Sequence, residues 1–462
     1  MADAQARFLS GSLFRHVSVM SLTASIGLVA VFFVDFIDMV FIAMLGQAEL
    51  AAAIGYAGAI LFFTTSFGIG MAIAAGALVA RALGAGETRL AGQRATSSLI
   101  FGVLFGAVFA ALVWVNIPAL VQVMGASGET AGFAETYLQI VVPSLPLLMV
   151  GMAGGAILRA HGAARVAMMA TIWGSLVNAI LDPILIFGLN LDLVGAALAS
   201  VAARVTIGVV ALRSLLNTQA ALAPPTFPCL MRDLPPHVAI AFPAIMTQLA
   251  TPVGQAYVTR EMAAFGEQAV AGLAMISRLS PVAFGVVFAL SGALGPIIGQ
   301  NYGAGKSDRV REAFRAALIF SGLYVLCVSA LLFVLRGTLA DLFGATGTAQ
   351  SLVFLFCGPL ALAFYFNGVL FAANAAFNNL GRPFLSTATN WGRHTVGTIP
   401  LVMLGAALFG APGVLIGQAA GGVVFGLLAA WLAVRVMADP GDTPRRPFAR
   451  EGRLLSLVHL RR

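Results

Sequence analysis

Apolar runs of helical length, separated by short polar or Gly/Pro-bearing connections, recur along the whole chain. A membrane-spanning helix needs about 20 predominantly apolar residues. Twelve runs qualify, near 17–45, 51–80, 95–116, 134–158, 167–189, 194–217, 238–262, 270–301, 314–336, 351–378, 385–409 and 412–437. Several are long enough to tilt, kink or extend beyond the hydrocarbon layer. The pattern predicts an all-α polytopic membrane protein with twelve transmembrane helices.

The chain also repeats itself at an offset of 218 or 219 residues. Gly84-Ala85-Gly86 returns as Gly303-Ala304-Gly305, and Gly162 as Gly381. Trp173-Gly174 returns as Trp391-Gly392, and Gly195 as Gly413. Six helices per half bring both halves in from the same side, a parallel repeat. The expected organisation is a first lobe over 1–219, a proline-rich linker over 220–236, a second lobe over 237–437 and a basic tail over 438–462.

Composition narrows the function. Of 462 residues 60% are hydrophobic and only 10% charged, with mean hydropathy +0.96, against about 25% charged in a soluble domain. Soluble enzymes and nucleic-acid readers are thereby excluded. The +8 net charge follows the positive-inside bias. With the N-terminus inside, every Lys and Arg is assigned to the cytoplasmic side except Arg260 and Arg336 outside, and Arg204 and Arg278 within apolar runs. Both termini are expected in the cytoplasm, with the tail against anionic lipid. Cys229, Cys327 and Cys357 are far apart and the five histidines scattered, which argues against disulfides and zinc. The two Gly-Ala-Gly turns lack the Lys-Ser/Thr of a phosphate-binding loop. With no ATP site and no cofactor expected, uphill transport must draw on an ion gradient.

Ionisable residues inside spanning helices are costly and point to function. Asp35 and Asp38 lie in the first helix and Asp182 in the fifth, one turn from Asn178. Counted from the helix ends at about 1.5 Å per residue, Asp38, Asp182 and Ser200 share a depth of roughly 10–12 Å. Two carboxylates, an amide and a hydroxyl at one level suit a proton or a dehydrated sodium ion; an interhelical hydrogen-bonded pair is the structural alternative. Asp35 either extends the site or faces cavity water. Arg204, one turn below Ser200, either faces the acids or packs under the lobe. The second half has no matching acids, only Thr251, Tyr257, Tyr365, Asn367, Asn374 and Asn390.

At these residues the sequence resembles the MATE family of multidrug and toxic compound extrusion transporters, in particular its bacterial DinF-like branch. The stretch Asp38-Met-Val-Phe-Ile-Ala-Met-Leu-Gly46 is similar to the family's first-helix pattern, with Met39 and Ala43 as departures. Leu158–Arg165 resembles its fourth-to-fifth-helix turn, with His161 and Ala163 departing. Asn178–Gly188, Gly195–Ser200 and Gly299–Gly305 with Asp308–Arg311 resemble further motifs in order. The resemblance implies two six-helix lobes around a central cleft and alternating access. It implies a monomer that exports organic, often cationic and amphipathic compounds in exchange for H⁺ or Na⁺. It further implies an ion-responsive cluster at Asp38, Asn178, Asp182 and Ser200, with Tyr137 beside it. Thr251 stands where some relatives carry a second-lobe acid. A lipid-linked precursor flippase of the same superfamily is the alternative. A major-facilitator carrier and an intramembrane hydrolase each lack the expected motif, and a channel would show sustained gradient-independent conductance in bilayers.

Overall fold

The protein is described by a computed structural model over residues 6–218 and 220–438; the basic tail beyond 438 lies outside the described residues. Among the described residues, twelve long helical rods make up the fold. The first lobe holds α1 (Leu13–Met44), α2 (Ala48–Gly84), α3 (Thr88–Val115), α4 (Gly128–Ala160), α5 (Ala164–Gly188) and α6 (Asp192–Asn217). The second holds α7 (Phe227–Ala263), α8 (Glu267–Ala283 and Gly285–Gly303), α9 (Ser307–Leu342), α10 (Gly347–Ala363 and Tyr365–Asn379), α11 (Pro383–Phe409) and α12 (Ala411–Ala438). Among the described residues there is no strand.

Eight rods are individually long and apolar enough to cross a membrane, and α8 and α10, bent by 47° and 42°, bring the number to ten. The other two have visible reasons to differ. Helix α7 is continuous but carries Arg232, Asp233 and four internal prolines, and the π-turn Arg393–Gly397 divides α11. Helix α7 also begins inside the stretch read from sequence as linker. Pro228 sits in its first turn, where a missing N–H costs nothing.

The internal repeat is visible in packing as well as in sequence. Gly174 on α5 lets Ile207 of α6 approach, and Gly392 on α11 does the same for Phe425 of α12. Gly208 packs against the Leu147 backbone as Gly426 does against that of Phe366. The two Gly-Ala-Gly turns match too: Gly86 (φ +77) and Gly305 (φ +71) end α2 and α8 in the left-handed region, which glycine enters without penalty.

The lobes meet at the end carrying these turns, here termed the basic end. Gly84 lies against the Gln300 backbone and Gly303 against that of Arg81, contacts that any Cβ would block. The Arg81 guanidinium donates to the Asn378 carbonyl (2.6 Å), and Gln300 Nε2 to that of Ala160 (2.8 Å). Buried Phe8 adds a strap, its N–H donating to Gln300 Oε1 (2.9 Å) and its carbonyl accepting from Asn301 and Arg309 (3.1 Å each). A second seam joins Ser97 of α3 to buried Asp233 of α7 (2.9 Å). The two lobes also touch at the opposite end. There, Arg278 Nη1 on α8 reaches Met39 Sδ on α1 at 3.4 Å.

Candidate functional site

Helices α1, α4, α5 and α6 carry a polar cluster deep in the first lobe. Asn178 and Asp182, one turn apart on α5, point inward together; Asn178 is 6% exposed and Asp182 fully buried. The Asn178 amide donates to Asp182 Oδ2 at 2.8 Å. The same Nδ2 approaches both oxygens of Asp38 on α1, at 3.2 and 3.4 Å. One neutral donor thus bridges two carboxylates. Asp182 Oδ1 is buried with no hydrogen-bond partner, an unsatisfied acceptor of a kind that normally costs free energy. Pro183 follows and cannot donate to the ladder, and the helix continues as the π-turn Ile184–Gly188. Such turns are common at functional positions.

Ser200 joins the cluster through Tyr137, whose hydroxyl lies 3.3 Å from Ser200 Oγ. Asp35 stands apart. It is exposed on α1 and within Coulombic range of both Asp38 and Arg204.

Arg204 has a definite local partner. Leu145 N–H bonds to Val142 in a tight turn, which frees the Val141 carbonyl at the kink of α4. Arg204 Nη1 donates to that carbonyl (3.2 Å) and to Ser144 Oγ (2.9 Å). These two bonds hold the Arg204 guanidinium against α4.

One sequence assignment needs correction. Arg393, counted with the cytoplasmic basic residues, lies ten positions into α11, far from the helix end. The run 385–409 already contained it, and the repeat offset would have paired it with Ser175. Sequence reasoning also missed the Arg81, Gln300 and Phe8 contacts that seal the basic end, because they join segments far apart in the chain.

Two six-helix lobes around a cleft, with carboxylates bridged inside one lobe and no soluble domain among the described residues, define an integral membrane transporter. The sequence pattern of the MatE family matches residues 24–184 and 243–404; the chain belongs to this family of MATE transporters. It is 27% identical over 441 residues to a FAD transporter of Shewanella oneidensis, covering 93% of this chain and 96% of that one. It is 24% identical over 428 residues to the multidrug export protein MepA of Staphylococcus aureus, covering 90% and 92%. Its fold matches the crystal structure of the Vibrio cholerae MATE transporter VcmN in the bent form, with TM-score 0.86, 25% identity, and coverage of 93% and 98%. The protein is a transporter and not an enzyme.

Proposed function

We propose that this protein is a secondary antiporter that exports organic amphipathic compounds in exchange for H⁺ or Na⁺ by alternating access. The observation that carries the reading is the Asn178 amide bridging Asp38 and Asp182, with Asp182 Oδ1 left unsatisfied. A proton on one carboxylate, or a sodium ion taking oxygens from Asp38, Asp182 and Ser200, supplies what that arrangement lacks. Binding there tightens α1 against α5 and shifts the balance between lobe arrangements, because only differential affinity moves a conformational equilibrium.

The basic end is taken to face the cytoplasm of a bacterial inner membrane, which puts the sealed side of the cleft inside. Tyr137 supports the Ser200 side of the site, and Asp35 guards its entrance. The relatives' names, drug export in one case and FAD in another, support organic solutes as the cargo class.

The test is dye efflux from proteoliposomes under an imposed ΔpH or an imposed Na⁺ gradient, comparing wild type with Asp38→Asn and Asp182→Asn. Gradient-driven efflux lost in both variants is expected, and the effective gradient identifies the ion. Undiminished efflux in both variants overturns the site.

A further inference from the structure

The second lobe carries a polar site at the place that the repeat pairs with the ion cluster. In the first lobe the cluster is built from α1, α4, α5 and α6; their counterparts are α7, α10, α11 and α12. An offset of 218 puts Gln418 at the place of Ser200, Gly422 at that of Arg204 and Arg393 at that of Ser175. The structure brings these counterparts together. The Arg393 guanidinium lies over Gly422, its Nε 3.7 Å and Nη2 3.8 Å from where a Cβ would stand, with Asn367 Oδ1 of α10 at 3.7 Å from the same point. One turn along α12, Gln418 donates to Gln255 of α7 at 3.1 Å. Each lobe thus holds one guanidinium at the same station, supplied by α6 in the first and by α11 in the second.

The two guanidiniums differ in their partners. Arg204 is tied to Val141 and Ser144. The Arg393 guanidinium has no hydrogen-bond or ion-pair partner among the described residues, yet the residue is only partly exposed. The acids of the second lobe, Asp233, Glu261, Glu267, Asp308, Glu312 and Asp341, all lie near helix ends, so none supplies a counter-charge at its depth. His394 is wedged against Gly254 of α7, and the preceding arginine is turned toward α10 and α12. The π-turn that starts at Arg393 is stabilised by Thr398 Oγ1, which donates to the Arg393 carbonyl at 2.8 Å. An unpaired guanidinium inside a membrane lobe, flanked by amides that donate as well as accept, is chemistry for an anion.

Resting on the transport reading above, we infer that Arg393, with Asn367, Gln255 and Gln418, binds a phosphate or carboxylate group of the transported molecule. The cargo class is then organic anions with an apolar body, rather than the cations that the family resemblance implies. The first lobe takes the coupling cation and the second lobe takes the cargo's negative charge.

The test uses purified full-length protein in maltoside detergent, free of lipid phosphate. Three flavins share one fluorescent ring and differ in phosphate count: riboflavin, FMN and FAD. Expected is binding of FMN and FAD about tenfold or more tighter than riboflavin, weakened by raising salt. Arg393→Gln is expected to reduce FMN affinity about ten- to hundredfold, as for loss of a charged hydrogen bond, leave riboflavin unchanged, and be rescued in part by Arg393→Lys. Equal affinities for the three flavins, no binding of any, or an FMN preference retained in folded Arg393→Gln overturns the inference. If Arg393→Gln does not fold, the wild-type series and its salt dependence decide. Failure here with intact gradient-driven dye efflux leaves the antiport reading standing; loss of that efflux does not alter the binding result.

Discussion

Arg81 donates to the Asn378 carbonyl, and its repeat counterpart Gln300 donates to the carbonyl of Ala160, one residue from the position that the 219-residue offset pairs with Asn378. The seal at the basic end therefore has its own approximate two-fold symmetry, centred on the close approach of Gly84 and Gly303. A Cβ on either glycine would collide with the opposing backbone, and backbone cannot swing aside as a flexible side chain can. Gly84→Val and Gly303→Val are each expected to hold this end open. The expected result is a loss of transport of about tenfold or more, with a cysteine placed at Asn378 becoming reactive to a water-soluble maleimide. Normal transport with a protected cysteine contradicts the seal.

The amide of Asn178 is the one donor shared by Asp38 and Asp182. Asn178→Leu removes it at similar volume and leaves the two carboxylates facing each other without a bridge. Losing a hydrogen bond to charged groups costs about 1.5–3 kcal/mol. Gradient-driven efflux is expected to fall about tenfold or more, with the ion concentration at half-activation displaced. Asn178→Leu efflux equal to wild type would assign the amide to packing alone.

Arg204 stabilises the kink of α4 through Val141 and Ser144. Arg204→Met keeps much of the apolar stem and removes both donors, while Ser144 Oγ still donates to the Val141 carbonyl at 2.6 Å. The expected cost is about 1–3 kcal/mol, read as a lower thermal unfolding midpoint. The ion that drives efflux should stay the same, because the bridged pair Asp38 and Asp182 is untouched. A changed coupling ion would show that Arg204 acts on the acids directly.

Much of this arrangement was legible in the sequence because it depends on local spacing. Apolar run length predicts each rod, and the spacing of Asn178 and Asp182 puts both on one helix face. Their meeting with Asp38 is expected from equal depth, and in the structure the Asn178 amide lies between the two carboxylates. Arg204 was ambiguous because its partner is a carbonyl released by a kink at Val141, which leaves no mark in side-chain chemistry. Arg393 was hidden by position, since a rule that counts basic residues toward one side does not register one set ten positions into α11. The N-terminal contact of Phe8 with Gln300 spans almost two-thirds of the chain, and nothing local encodes it.

His161 offers a pH test outside the spanning segments, in the turn after α4. Its Nδ1 lies 2.9 Å from the Ile157 carbonyl, and its Nε2 is buried without a partner. Burial, helped by the charge of Arg7 and opposed by the Ile157 hydrogen bond, pushes the imidazole below its ordinary value of 6.5. The unfolded chain then takes up a proton near pH 6.5 that the folded protein still refuses. Stability from this residue is therefore complete above that pH and declines as the pH falls, by at most about 1.4 kcal/mol per unit until the folded histidine also titrates. Thermal unfolding of wild type and His161→Gln between pH 7.5 and 5.5 isolates the effect, since the acids of α1 and α5 are common to both. A shallower loss of stability on acidification in His161→Gln is expected; parallel curves would mean that the histidine titrates alike in both states.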